Sequence, residues 1–322
     1  MLGLLGKIIK FCFYTLIILI ILLSLIPYLF PLKNKPPDAE YKPYPNSKFV
    51  KSSYNGMHYR VFKPDTIKSK IVLIHGFAGS TFCYRNNFES LLNNKTLIVA
   101  VDLPPYGYSR KDSEANFDDT TILSLIHSAI QQTDAETKLN KPWIIAGHSL
   151  GALYAAKLVT QHPSLFSKQI YMDGFFADLQ ETGFNAFLKY PPLLQWSDVA
   201  LEYYFLNKEK FGELIESAYL RKASDGEIEG YMKPFEIQGS GSGILHWSHA
   251  GSIVDVDKLT LYAKPALIIW GNPDPWVPFD IKKLDTTAFK KLTFKFIENG
   301  GHNPQETQPE TVNKYLIDFV NN

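Results

Sequence analysis

The stretch PWIIAGHSLGALYAAKLV, residues 142–159, sets a serine between two glycines where an apolar run changes its period. Trp143, Ile144 and Ile145 are continuously apolar and β-favouring, the pattern of a strand buried on both faces of a parallel sheet. From Leu150 onward, Leu153, Tyr154, Ala156 and Leu158 belong to an alanine-rich pattern that suits a buried helix. Gly147-His148-Ser149-Leu150-Gly151 therefore falls at a strand-to-helix turn. A turn that sharp strains its central residue and crowds the neighbouring backbone, which accounts for the glycines around Ser149. The hydroxyl is pushed out at the edge of the sheet, the arrangement of a G-x-S-x-G nucleophile elbow.

Working outward, KFVKSSY and MHYRVF, with Asn55-Gly56 between them, read as a hairpin. KIVLIHG, TLIVAVD, PWIIAGHS, KQIYMDG, KPALIIWG and LTFKFIE then read as buried strands. Helical patterns over residues 88–92, 120–135, 150–161, 280–289 and 311–320 alternate with them. This alternation predicts an α/β fold, a mostly parallel sheet covered on both faces. Residues 176–257 break it: they are rich in aromatics and hold no clear buried strand. A stretch that long needs structure of its own, and it reads as a helical cap over the carboxyl ends of the strands. The core is expected in residues 47–175 and 258–322.

A serine hydroxyl is a poor nucleophile until a base takes its proton and a carboxylate orients that base. Asp274 in WGNPDPWVP and His302 in ENGGHNP each follow a strand, in the order acid then histidine. Asp173 in YMDGFF also ends a strand and is the rival acid, while Asp102 belongs to DLPPYGYS, read as a turn bracing the site. An oxyanion formed at Ser149 requires backbone N–H donors. Leu150, at the start of the helix, and Phe77, in the loop HGFAGS, are placed to supply them.

His246 and His249 have a spacing found in metal sites but lack companion ligands, and no metal is expected. GSGSG at 239–243 does not follow a strand and reads as a flexible loop in the cap rather than a phosphate cradle. Asn94-Lys95-Thr96 is a glycosylation sequon, meaningful only in a lumenal or secreted domain.

With 33 basic and 32 acidic residues, the chain offers no electrostatic reason to bind nucleic acid. Of its two cysteines, Cys12 lies in an apolar N-terminal segment, which argues against a bridge to Cys83. Residues 11–32 carry no charge and are long enough to cross a bilayer. No small-x-small cleavage site follows, so residues 1–32 read as an uncleaved single-pass anchor, with a secreted protein the outcome if they are cleaved. Residues 33–46, with prolines among charges, read as a stiff linker.

The motifs HGFAGS, DLPPYGYS, GHSLG, GNPDPWVP and GGHNP, in that order, resemble the α/β-hydrolase superfamily from about residue 48 to the C-terminus. The resemblance implies an eight-stranded, mostly parallel sheet, a lid, and a nucleophile, acid and base at Ser149, Asp274 and His302, with no cofactor. Pro105 stands where a glycine is usual, and Thr307 where an acidic residue is common. The serine sets the chain apart from members resembling epoxide hydrolases and haloalkane dehalogenases, which use aspartate there. The anchor, the aromatic cap and the lack of a basic cluster lean toward an apolar or lipid-like acyl ester. Carbon–carbon bond hydrolase, thioesterase and non-catalytic scaffold are the alternatives.

Overall fold

The computed structural model describes residues 2–32, 43–51, 56–111, 117–174, 190–247, 264–279 and 291–322. Eight strands form one sheet: β1 (Ser47–Lys51), β2 (Gly56–Phe62), β3 (Ser69–Ile74), β4 (Thr96–Val101), β5 (Trp143–His148), β6 (Phe166–Met172), β7 (Ala266–Asn272) and β8 (Leu292–Glu298). Their order is β1-β2-β4-β3-β5-β6-β7-β8. β1 and β2 pair antiparallel, β2 joins β4 antiparallel, and every later neighbour is parallel. The eight-stranded, mostly parallel α/β fold expected from the sequence is the fold observed.

The central strands are mostly apolar because both faces are covered, and alternate residues serve different layers. Val72, Ile74, Val99, Val101, Ile145 and Ile268 face the layer built on helices Asp119–Thr137 and Leu150–Gln161. Ile71, Leu73, Ile98, Ala100, Ile144 and Ile269 face the other layer, where Leu91, Val312 and Leu316 come from helices Phe88–Asn93 and Pro309–Asn321. Full burial of each such aliphatic side chain contributes about 1.5–3 kcal/mol, so the two faces together fix the register of the sheet. The sequence expectation of a helix over 280–289 lies outside the described residues, as do the hairpin residues 52–55.

Between β6 and β7, the described residues form helices Pro191–Ala200, Lys208–Tyr219, Asp225–Met232 and Ser240–Trp247. They share a small core of Leu201, Phe211, Ile215, Tyr219, Ile228 and Phe235. One expectation is corrected here. The GSGSG run is not a flexible loop: from Ser240 it forms the first turns of helix Ser240–Trp247. Its glycines are required by packing, since a Cβ at Gly241 would lie 2.3 Å from the Ser197 carbonyl oxygen and one at Gly243 would lie 2.4 Å from that of Lys111. Close approach of backbones outweighs the low helix propensity of glycine.

Helix Leu2–Leu25 stands at the N-terminus with its described side chains almost wholly exposed. It gives way at Ile26–Leu29 to a tighter turn carrying Pro27, so the regular helix stops short of residue 32. The apolar segment Leu4–Leu29 has the length and composition of a bilayer span, and equally of a signal sequence.

Candidate active site

The elbow expected at Ser149 is present. β5 ends at His148, helix Leu150–Gln161 begins at the next residue after the serine, and Ser149 takes φ 50° and ψ −121°. Such a backbone conformation is costly for any residue with a Cβ and persists only where the surroundings hold it. They do so by close contact: a Cβ at Gly147 would lie 2.2 Å from the Gly151 carbonyl oxygen, and one at Gly151 would lie 2.3 Å from that of Ile74. The glycines let the turn close onto itself and onto the end of β3.

His302 follows β8 and Asp274 follows β7, and the two meet. His302 Nδ1 and Asp274 Oδ2 are 2.8 Å apart. Asp274 Oδ1 accepts the backbone N–H groups of Trp276 at 2.8 Å and Val277 at 3.0 Å. Burial alone would raise the Asp274 pKa, but these bonds to the charged form outweigh it and hold the carboxyl below its ordinary value. The carboxylate thus favours Nδ1 of the ring as the protonated nitrogen and leaves Nε2 with its lone pair.

Ser149 and His302 line one cavity of about 350 Å³ together with Gly76, Phe77, Leu214, Ile215, Tyr231 and Trp276, among others. Among the described residues, no lysine or arginine lines it. Its roof includes Phe211, Leu214, Ile215 and Ala218 from helix Lys208–Tyr219, so the helical segment between β6 and β7 closes over the ends of the strands. Among the described residues, the backbone N–H groups of Phe77 and Leu150 donate no hydrogen bond. Leu150 follows the serine directly, and Phe77 lines the same cavity.

Asp173, the rival acid, lies beside the pair: its ligand atoms, those of Asp274 and those of His302 fall within 4.8 Å of one another. This is the described cluster with the geometry to hold a cation, though within it Asp274 and His302 are already bonded to each other. Asp173 Oδ1 accepts the Gly271 N–H at 2.8 Å, while Oδ2 finds no donor. Burial, reinforced by the neighbouring Asp274, pushes the Asp173 carboxyl well above its ordinary value. Burial thus favours the protonated form of Asp173. His246 packs edge-on against Phe117 at 5.5 Å, and His249 lies outside the described residues.

Two histidines escaped the sequence reading although both sit inside quoted motifs. His148 Nε2 donates to the His302 carbonyl oxygen at 2.7 Å, and the two rings lie 4.9 Å apart. Burial, with the nearby His302, lowers the His148 pKa to about 3, so the ring is neutral at pH 7. His75 donates from Nδ1 to the Gly76 carbonyl at 2.7 Å and accepts the Leu103 N–H at Nε2, 2.8 Å away. It ties the loop carrying Phe77 to the loop after β4.

A second Ser–His–Asp chain occurs elsewhere. His58 Nδ1 lies 2.7 Å from Asp102 Oδ2, and His58 Nε2 lies 2.7 Å from Ser47 Oγ. Its hydrogen bonds are complete, yet all three residues are buried and none lines the cavity at Ser149. Burial opposes ionisation of Asp102, but His58 and the Tyr108 N–H reverse this and hold its pKa at about 2. Asp102 also accepts the Thr81 N–H at 2.6 Å. The trio fastens the hairpin β1-β2 to the loops beside the site, a wider form of the bracing role expected of Asp102.

An eight-stranded sheet, an elbow serine and a His–Asp pair after the last two strands are the features of a hydrolase of the α/β class. Residues 71–315 match the alpha/beta hydrolase family, and the chain belongs to it. It is similar to the uncharacterized hydrolase YugF of Bacillus subtilis strain 168, at 25% identity over 79% of this chain and 90% of the relative. It is also similar to epoxide hydrolase 1 of Caenorhabditis elegans, at 23% identity over 86% of this chain and 70% of the relative. Among solved structures, an esterase from Exiguobacterium antarcticum superposes with a TM-score of 0.65 at 17% identity, covering 86% of this chain and 98% of the esterase. That likeness is one of fold.

Proposed function

We propose that this hydrolase cleaves an apolar carboxylic ester through an acyl-enzyme on Ser149, with His302 as general base and Asp274 orienting it. One observation carries the reading: the 2.8 Å His302–Asp274 bond is buried at the cavity into which the elbow presents Ser149. In the first half-reaction His302 Nε2 takes the Ser149 proton as Oγ attacks the ester carbonyl. The Phe77 and Leu150 N–H groups receive the oxyanion, and His302 returns the proton to the departing alkoxide. Water, deprotonated by the same nitrogen, then releases the acid. The site residues carry no net requirement for a cofactor in these steps.

The choice of ester rests on the lining. Phe77, Phe211, Leu214, Ile215 and Trp276 offer apolar surface, and among the described lining residues no lysine or arginine stands ready to hold a charged acid. An aspartate nucleophile, used by members resembling epoxide hydrolases, has no counterpart at position 149. The test is labelling of the full-length protein in detergent with a fluorophosphonate, with the modified peptide located by mass spectrometry. Modification at Ser149, and loss of aryl-ester hydrolysis on the order of 10⁶-fold in Ser149→Ala, is the expected result. An unlabelled serine with undiminished turnover in the variant refutes it. Rates across a series of acyl-chain lengths then define the ester.

A further inference from the structure

The N-terminal helix does not simply trail from the domain; its end is docked. The Trp196 indole N–H donates to the Leu23 carbonyl oxygen at 2.8 Å. The Tyr203 hydroxyl donates to the Pro31 carbonyl at 2.7 Å, and Ser24 Oγ and the Tyr190 hydroxyl are 2.9 Å apart. Phe30 packs against the rings of Trp196 and Tyr203, with centroids at 6.1 and 5.5 Å. The last carbonyls of a helix have no partner within it, so side chains from the segment after residue 190 complete the end of helix Leu2–Leu25.

The surface around this junction is unusual for one facing water. Tyr190, Tyr203, Tyr204 and Phe205 are 43, 48, 58 and 53% exposed, on a single short segment beside the exit of the apolar helix. Exposed aromatic clusters of this kind mark an interaction surface, and tyrosine and tryptophan are enriched where a bilayer meets water. The helix supplies the position. Its 24 residues span about 36 Å at 1.5 Å per residue, enough for a hydrocarbon core of roughly 30 Å.

We propose that the face formed by residues 190–205 lies in the headgroup layer of the bilayer spanned by helix Leu2–Leu25, and that its partner is the lipid surface itself. This rests on reading that helix as a retained anchor. The charged residues alongside, Glu202, Lys208, Glu209 and Lys210, are of mixed sign, so the contact is apolar and indifferent to lipid charge. Helix Lys208–Tyr219, which follows this face directly, also roofs the Ser149 cavity with Phe211, Leu214 and Ile215. An ester dissolved in the bilayer would therefore meet the enzyme at the element that covers its active site.

The test uses the full chain in phosphatidylcholine vesicles. A nitroxide is attached at Phe205→Cys, or at Lys222→Cys as a control whose native side chain is 91% exposed, both in a Cys12→Ser background; Cys83 is buried. The label at 205 is expected to relax more with lipid-soluble oxygen than with a water-soluble nickel chelate, and the label at 222 in the reverse order. Adding phosphatidylglycerol should leave both unchanged. A protein retained through carbonate washing whose 205 label behaves like the 222 label overturns the proposal and leaves the anchor standing. Transfer of the 205 label into lipid only with phosphatidylglycerol also overturns it, in favour of attraction by charge. Release by carbonate, or an intact mass lacking the first residues, overturns anchor and face together. In all three cases fluorophosphonate labelling of Ser149 is unaffected, so the hydrolase reading is judged separately.

Discussion

Replacing each of the two buried acids with asparagine should give opposite signatures. Asp274 accepts from His302 and from two backbone N–H groups, and is held as a carboxylate. In Asp274→Asn the amide can keep the two backbone bonds only by turning its NH₂ toward His302. Nδ1 must then accept, the proton moves to Nε2, and the ring can no longer take the serine proton. The expected loss in turnover is around 10⁴-fold, about 5.4 kcal/mol of transition-state stabilisation. Burial favours the neutral form of Asp173, which accepts the Gly271 N–H, so asparagine comes close to its shape and its charge. Turnover should fall less than about tenfold, since one neutral hydrogen bond is altered. The linkage sign supplies a second readout. A carboxyl whose folded pKa is raised binds its proton more tightly when folded, so the native protein loses stability as pH rises above the unfolded value of about 3.9. Asp173→Asn removes that dependence and should be stabilising at pH 7 relative to wild type, with the gain vanishing below about pH 4. Steady-state ester hydrolysis and urea titrations at pH 4 and 7 measure both. A larger loss of turnover in Asp173→Asn than in Asp274→Asn, with both variants folded, would refute the assignment of the acid.

Three further outcomes are expected. His148→Ala leaves the His302 carbonyl without its donor and should lower turnover by an amount equivalent to about 1–3 kcal/mol, whereas His148→Gln, which can still donate, should restore part of it; equal losses would show that the bond does not position His302. Asp102, held at about 2 in the folded protein against about 3.9 unfolded, contributes roughly 2–3 kcal/mol above pH 4 that is lost as pH falls toward 2; denaturant titration of Asp102→Asn should show a flatter acid limb than wild type. Gly241→Ala forces a methyl group against the Ser197 carbonyl and should cost about 1–3 kcal/mol, read as a lower urea midpoint; an unchanged midpoint would mean that helices Pro191–Ala200 and Ser240–Trp247 can separate freely.

The parts of the molecule visible in the sequence are those fixed by local chemistry. Apolar runs mark β3, β4, β5 and β7 because burial on both faces leaves few polar positions, whereas β6 carries Ser167, Lys168 and Gln169 before its apolar end. The glycines around Ser149 mark the elbow because only they permit its close backbone contacts. The order of Asp274 and His302 after strands could be read for the same reason. The preference for Asp274 over Asp173 rests on less, since both follow strands. The choice is made across the sheet: Asp173 stays beneath the Gly271 N–H, whereas the turn after β7 carries Asp274 on to Trp276, Val277 and His302. The GSGSG run misled because glycine's local preference is for loops, while backbones distant in sequence required a close-packed helix. Likewise, Ser47, His58 and Asp102 carry no common motif, and Trp196 and Tyr203 give no local sign of the carbonyls they meet at Leu23 and Pro31. Periodicity and turn chemistry report a residue's immediate neighbours; hydrogen bonds between distant segments exist only once the whole sheet and its helices bring those segments together.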